Sequence, residues 1–251
     1  MRNWFLLYII IILSFAGCTR EPKSDMARIG EPVEIQNHQE GTIYKIDTAT
    51  SIITWVGANP TERHNGIFKI KDGTITVSEV ENLADSQAVN LKVKKDPDQI
   101  NQARIIVSIN SVDILDLKHD QVQYNKLLRH LKSEDFFQTD KFPEATFELI
   151  SIEKIEEDTT GKINNEFTII NPTHRAKGNL TIKGITKSIE FPVRLGIINL
   201  KLEASAKFNI DRTVWGINHL DKNDPLAKTK DSFINNIVNV GFEIIAYSQD
   251  P

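Results

Sequence analysis

From Thr42 to Tyr247 the apolar residues of this chain recur with a period of two almost everywhere, the mark of strands with one buried face. Alternating runs read as strands at 51–57, 66–71, 104–112, 145–155, 174–183, 188–196, 200–210 and 237–247. Asp72-Gly73 sits between the alternating pairs Phe68, Ile70 and Ile75, Val77, which predicts a two-residue type I′ hairpin because both positions tolerate positive φ. Gly184-Ile185-Thr186-Lys187 reads as another turn, and the polar stretches 87–102 and 159–172 as excursions or weak extra strands. One helix interrupts this pattern. Tyr124, Leu127, Leu128 and Leu131 recur at i, i+3, i+4 and i+7, and Pro143 then forces an extended segment. So many antiparallel candidates beside one short amphipathic helix make the chain all-β, a sandwich or a barrel of about eight strands.

Strand parity says what the inside contains. In 174–183 the inward set is His174, Ala176, Gly178, Leu180 and Ile182, with Arg175, Lys177, Asn179, Thr181 and Lys183 towards water. In 200–210 it is Leu200, Leu202, Ala204, Ala206, Phe208 and Ile210. Both carry small residues mid-strand. An eight-stranded barrel has an interior that side chains either just fill or leave open for one small ligand. Ala176, Gly178, Ala204 and Ala206 fit an open channel, and equally fit a filled core in which Phe or Trp from facing strands occupies the space. Phe136, Phe137, Phe142 and Phe147 crowd the joint between helix and strand, and a helix laid over a barrel mouth would need that coating.

Composition narrows the function classes. A net charge of -4 with interspersed signs offers no basic field for phosphates, so nucleic acid is not an expected partner. His38, His64, His119, His130, His174 and His219 form no His-x-x-x-His pair, and neither Cys-x-x-Cys, His-Glu-x-x-His, Gly-x-Ser-x-Gly nor a phosphate loop is present. No catalytic residue, cofactor or metal site is expected. His174 reads as a hydrogen-bonded rim residue or a head-group contact, and Asp211-Arg212 as a structural turn with an ion pair.

The first residues, MRNWFLLYIIIILSFAGC, combine a basic start at Arg2, an apolar run from Trp4 to Phe15, and Ala16-Gly17 before the single cysteine. The run is shorter than the ~18 apolar residues that a spanning helix needs, so it reads as a cleaved signal peptide. Phe15-Ala16-Gly17-Cys18 resembles a bacterial lipobox, with Phe15 where Leu is usual. Residues 1–17 are thus read as signal peptide, 18–41 as a lipidated Cys18 and flexible tether, and 42–251 as the barrel domain. The expected location is the bacterial cell envelope, on the periplasmic side or the outer membrane, anchored through the N-terminal lipid.

Five segments in order carry a family resemblance: His64-Asn65-Gly66-Ile67-Phe68, His130 to Phe137 (HLKSEDFF), Phe142 to Phe147 (FPEATF), Gly178 to Lys187 (GNLTIKGITK), and Phe208 to Gly216 (FNIDRTVWG). Together they resemble the YceI family of exported bacterial proteins. That resemblance implies a lipocalin-like extended antiparallel β-barrel whose apolar channel holds a long-chain isoprenoid, fatty-acyl or other amphiphilic lipid, with no shared catalytic activity. The chain departs from the family by longer insertions before Arg104 and before His174. The residues expected to bind ligand are Trp55, Phe68, Phe136, Phe137, Phe147, His174, Ala176, Gly178, Leu180, Leu202, Ala204, Ala206, Phe208 and Trp215. The alternative is a filled barrel acting as an envelope interaction or assembly module; a homodimer is left open.

Lipidation of Cys18 has a direct test. Labelled palmitate should enter the wild type and not Cys18→Ala; equal labelling of both, or a mature N-terminus elsewhere, would remove the anchor.

Overall fold

The computed structural model describes residues 21–35, 40–78, 96–156, 165–223 and 233–249. Along the chain lie β1 (Arg28–Gly30), β2 (Thr42–Ile46), β3 (Ile52–Ala58), β4 (Arg63–Val77), β5 (Ile100–Ile114), α1 (Gln121–Lys132), β6 (Glu144–Lys154), β7 (His174–Ile182), β8 (Ile185–Ile198), β9 (Lys201–Asp211) and β10 (Ile237–Ser248). From β4 to β10 each strand pairs antiparallel with the next. The ring closes through β2 and β3, which lie end to end between β10 and β4 and share one position in the wall. The result is a closed antiparallel barrel of eight staves, as the alternation predicts.

Asp72-Gly73 does not form a hairpin. β4 runs unbroken through it from Arg63 to Val77, and Gly73 does not adopt positive φ. The residue is small for another reason. A Cβ there would lie 2.6 Å from Ile46 Cδ1 and 3.0 Å from the Arg104 carbonyl oxygen. A register shift against β5 falls between Ile70 and Asp72, where β4 changes partner from β3 to β2. Asp72 pairs with Lys45, which lowers its pKa. A two-residue hairpin turn does form at Lys183-Gly184, with φ of 50° and 73° between the facing residues Ile182 and Ile185. Leu200, expected inside, is 48% exposed in the turn after Asn199.

Part of the stretch read as a tether is docked on the wall. β8 and β9 pair only at Arg194–Ile198 against Lys201–Ser205. Where they separate, the N-terminal segment enters. Arg28, Ile29 and Gly30 pair with Glu190, Ile189 and Ser188 of β8. Ala27 N–H donates to the Asn209 carbonyl of β9 at 2.8 Å, and Asn209 N–H donates to the Asp25 carbonyl at 2.8 Å. Asn179, expected to face water, is buried beneath this strap; its side chain accepts from Val33 N–H and donates to Val33 O.

α1 starts at Asp120, whose carboxylate accepts from the N–H groups of Val122 and Gln123 at 3.1 Å each. Its apolar stripe packs with Phe68, Ile109, Ile114 and Phe136 into a cluster that closes one end of the barrel. Phe137 meets Phe68 edge-on at 5.6 Å. The phenylalanine-rich joint is therefore a plug, as expected. Among the described residues no helix is long and apolar enough to cross a membrane.

Gly178 is a tight notch in the wall. A Cβ there would lie 2.3 Å from Phe147 Cζ and 2.6 Å from the Glu148 carbonyl oxygen. Gly178→Ala should therefore cost about 1 to 3 kcal/mol by overpacking, read as a lowered urea midpoint. An unchanged midpoint would mean that the Phe147 ring yields freely.

Candidate functional site

Inward alternation on every stave leaves a cavity of about 140 Å³ inside the barrel. Of the expected ligand contacts, Phe147, Ala176, Leu180, Ala204 and Phe208 line it. Sequence reading did not single out Phe191 and Phe242, which complete an aromatic wall. Phe191 stacks on Phe208 at 4.3 Å and 13° and meets Phe242 edge-on at 5.9 Å. The signal was present: Ile189, Phe191 and Val193 alternate inward along β8, all buried. Among the described residues no polar side chain lines the cavity, and the neighbouring backbone groups are engaged in the ladders. Such a space can take up an apolar group and cannot orient one by hydrogen bonding.

The other expected contacts lie elsewhere. Leu202, Ala206 and Trp215 are buried in the packed core outside the cavity, and Trp215 Nε1–H donates to the Leu180 carbonyl at 3.1 Å. Gly178 gives its space to Phe147. Trp55, Phe68, Phe136 and Phe137 belong to the cluster at the capped end. Residue order does not report how far along the barrel axis these aromatics sit, and the fold places them at the cap and not on the cavity wall. His174 is at the opposite end, buried, with Nε2 2.6 Å from Asp98 Oδ1 and Nδ1 2.7 Å from Thr173 Oγ1. Thr173 Oγ1 also accepts from Leu195 N–H at 3.0 Å, so its proton is free for Nδ1 and Nε2–H serves Asp98. That is the rim reading, with both ring nitrogens satisfied inside the protein. Cys18 and the insertion residues 79–95 and 157–164 lie outside the described residues.

The capped end carries the charged groups. Arg212 is buried and donates to the carbonyls of Asn235, Ile217, His219 and Ile234. Burial lowers its pKa, partly offset by Asp221 and Asp211. Asp211 caps the turn at Thr213 N–H and Oγ1, so the turn forms as expected, while Arg212 is held by carbonyls instead of an ion pair. Close by, His130, Asp135 and His219 come together from distant parts of the chain. Burial lowers the pKa of His219, opposed by Asp135 and reinforced by His130 and Arg212. Spacing could not reveal this group, because only the turn that Arg212 organises brings residue 219 to the end of α1.

The comparisons with known proteins agree with this geometry. A model of the YceI-like domain matches residues 44–246. Among solved structures, BcnA of Burkholderia cenocepacia is similar with a TM-score of 0.51 at 18% identity, over 80% of this chain and 98% of that one. A polyisoprenoid binding domain from Saccharophagus degradans, implicated in plant cell wall breakdown, gives 0.48 at 12% identity over 82% and 98%. The Campylobacter jejuni YCEI protein gives 0.43 at 19% identity over 72% and 84%. The curated proteins give no match. Identities this low speak for the fold alone. With the family model spanning the ring from β2 to β10, this lipocalin-like barrel belongs to the YceI-like domain family.

Proposed function

We propose that this chain is an envelope-tethered binder that holds a long-chain apolar or amphiphilic molecule, of isoprenoid or fatty-acyl type, inside its barrel. The observation that carries the reading is the cavity lining, which is apolar throughout. Each methylene moved there from water contributes about 0.8 kcal/mol. The open volume of about 140 Å³ is close to the ~150 Å³ that accommodates a benzene ring, so a longer chain has to part the side chains around it. Ile100, Ile152, Val193 and Leu195 lie towards the end away from α1, where among the described residues no aromatic plug blocks that widening. We assign no catalytic step.

The tether belongs to the same proposal and rests on the apolar run and lipobox-like residues before Cys18. The strap begins close behind it, since the Pro22 carbonyl already accepts from Asn209 Nδ2 at 2.6 Å. Four residues of fully extended chain reach at most about 14 Å, so a lipid on Cys18 would hold the barrel against the membrane surface instead of far from it.

A filled barrel that works as an interaction module is the competing reading, favoured by the modest size of the cavity at rest. Organic extraction of protein purified from envelopes should yield a stoichiometric lipid by mass spectrometry. Ala204→Phe places a ring in the cavity and should remove that lipid at near-normal stability. Ala206→Phe, buried outside the cavity, should cost about 1 to 3 kcal/mol. No lipid in the wild type, together with marked destabilisation by Ala204→Phe, would leave the fold and end the carrier reading.

A further inference from the structure

We infer that His130, Asp135 and His219 form a binding site for a late first-row divalent cation of the Zn²⁺ class at the capped end of the barrel. The potential ligand atoms all lie within 4.8 Å of one another. His130 Nε2 is 3.3 Å from Asp135 Oδ2, and His219 Nδ1 is 3.5 Å from Asp135 Oδ1. Direct charge-assisted hydrogen bonds would bring such atoms to about 2.7–2.9 Å. Two donors each about 2.05 Å from a common tetrahedral ion stand roughly 3.3 Å apart; the two imidazoles approach different oxygens of Asp135 at close to that distance, so a small turn of the carboxylate and of the exposed rings brings one donor from each residue to a common ion. The imidazole rings are 4.6 Å apart at 87°, so they meet edge to face while their nitrogens converge on the carboxylate.

The donor set selects the ion. Two imidazoles with one carboxylate suit Zn²⁺, Co²⁺, Ni²⁺ or Cu²⁺, whereas Ca²⁺ and Mg²⁺ require a shell of oxygens. The three ligands are held by separate constraints. His130 sits in the last turn of α1. Asp135 follows Ser133 in a turn closed by Phe136 N–H to Ser133 O and Phe137 N–H to Leu131 O. The His219 carbonyl accepts from Arg212 Nη2 at 3.0 Å. Phe136 lies against both rings, at 4.9 and 5.6 Å, and supplies an apolar floor.

Side-chain exposures of 36%, 54% and 26% for His130, Asp135 and His219 leave the group reachable from solvent. Three protein ligands with one position open to water is an arrangement that Zn²⁺ accepts. Two cations oppose the ion. Lys183, which interacts with Asp135, donates to the carbonyls of Glu134 and Gly216, and Arg212 donates to four carbonyls. Neither occupies Asp135 by contact, yet their repulsion makes this a reversible site.

The test uses untagged protein titrated with Zn²⁺ by calorimetry and with Co²⁺ by visible absorption. One equivalent should bind, Co²⁺ should show the intense d–d bands of four-coordination, and added Zn²⁺ should raise the melting midpoint with concentration. Asp135→Asn, at an exposed position, should weaken binding at least tenfold, and the double variant His130→Ala/His219→Ala should lose the cobalt bands. His64→Ala and His119→Ala should bind as the wild type does, with circular dichroism reporting the fold of every variant. Absence of saturable uptake by the wild type, a weak six-coordinate cobalt spectrum, or undiminished binding by a folded double variant would overturn the inference.

Discussion

Between β8 and β9 the hydrogen-bond ladder stops at the Leu195–Ala204 and Arg194–Ser205 pairs, although both strands continue. A sheet wrapped around an apolar interior cannot leave such a seam open, because buried N–H and C=O groups without partners each cost about 1 to 3 kcal/mol. The N-terminal strap supplies the missing partners. Asn209 gives its backbone N–H and C=O to residues 25 and 27 and its side chain to residue 22, and Asn179 binds both backbone groups of Val33. Wall and strap therefore form one cooperative unit.

At the capped end closure depends on a single guanidinium. Arg212 gathers the carbonyls of residues 217, 219, 234 and 235, while Asn235 N–H donates to Ala58 O at the end of β3. The same contact that finishes the wall fixes His219 beside His130 and Asp135. A charged group buried among carbonyls costs desolvation, and here the return is the placement of two loops at once.

Much of this was legible from residue order alone. Period two marks strands wherever one face is buried, and the i, i+3, i+4, i+7 stripe of α1 needed no tertiary information. Parity also put Ala176, Leu180, Ala204 and Phe208 on the lining. Three features were illegible for physical reasons. Asp72-Gly73 has the chemistry of a turn, but the packing of Ile46 and Arg104 against Gly73 imposes an extended path. The strap is too short to show a period, and its partners are asparagines whose backbone contacts lie more than a hundred residues away. His130 and His219 are joined by a fold-level contact that no local spacing encodes.

The wall around the cavity has a thermodynamic corollary. A site that pairs with a ligand's hydroxyl or amide rejects an analogue lacking that group by factors of about 10⁴ to 10⁵, because its own polar groups are then left unpaired. Phe147, Phe191, Phe208, Phe242 and their aliphatic neighbours have no such group to strand. One methylene more or less changes affinity by only about 1 to 3 kcal/mol. Under the proposed function, such a barrel would sort ligands by girth and length and not by chemical identity, and any narrower choice would have to be made where the ligand is supplied.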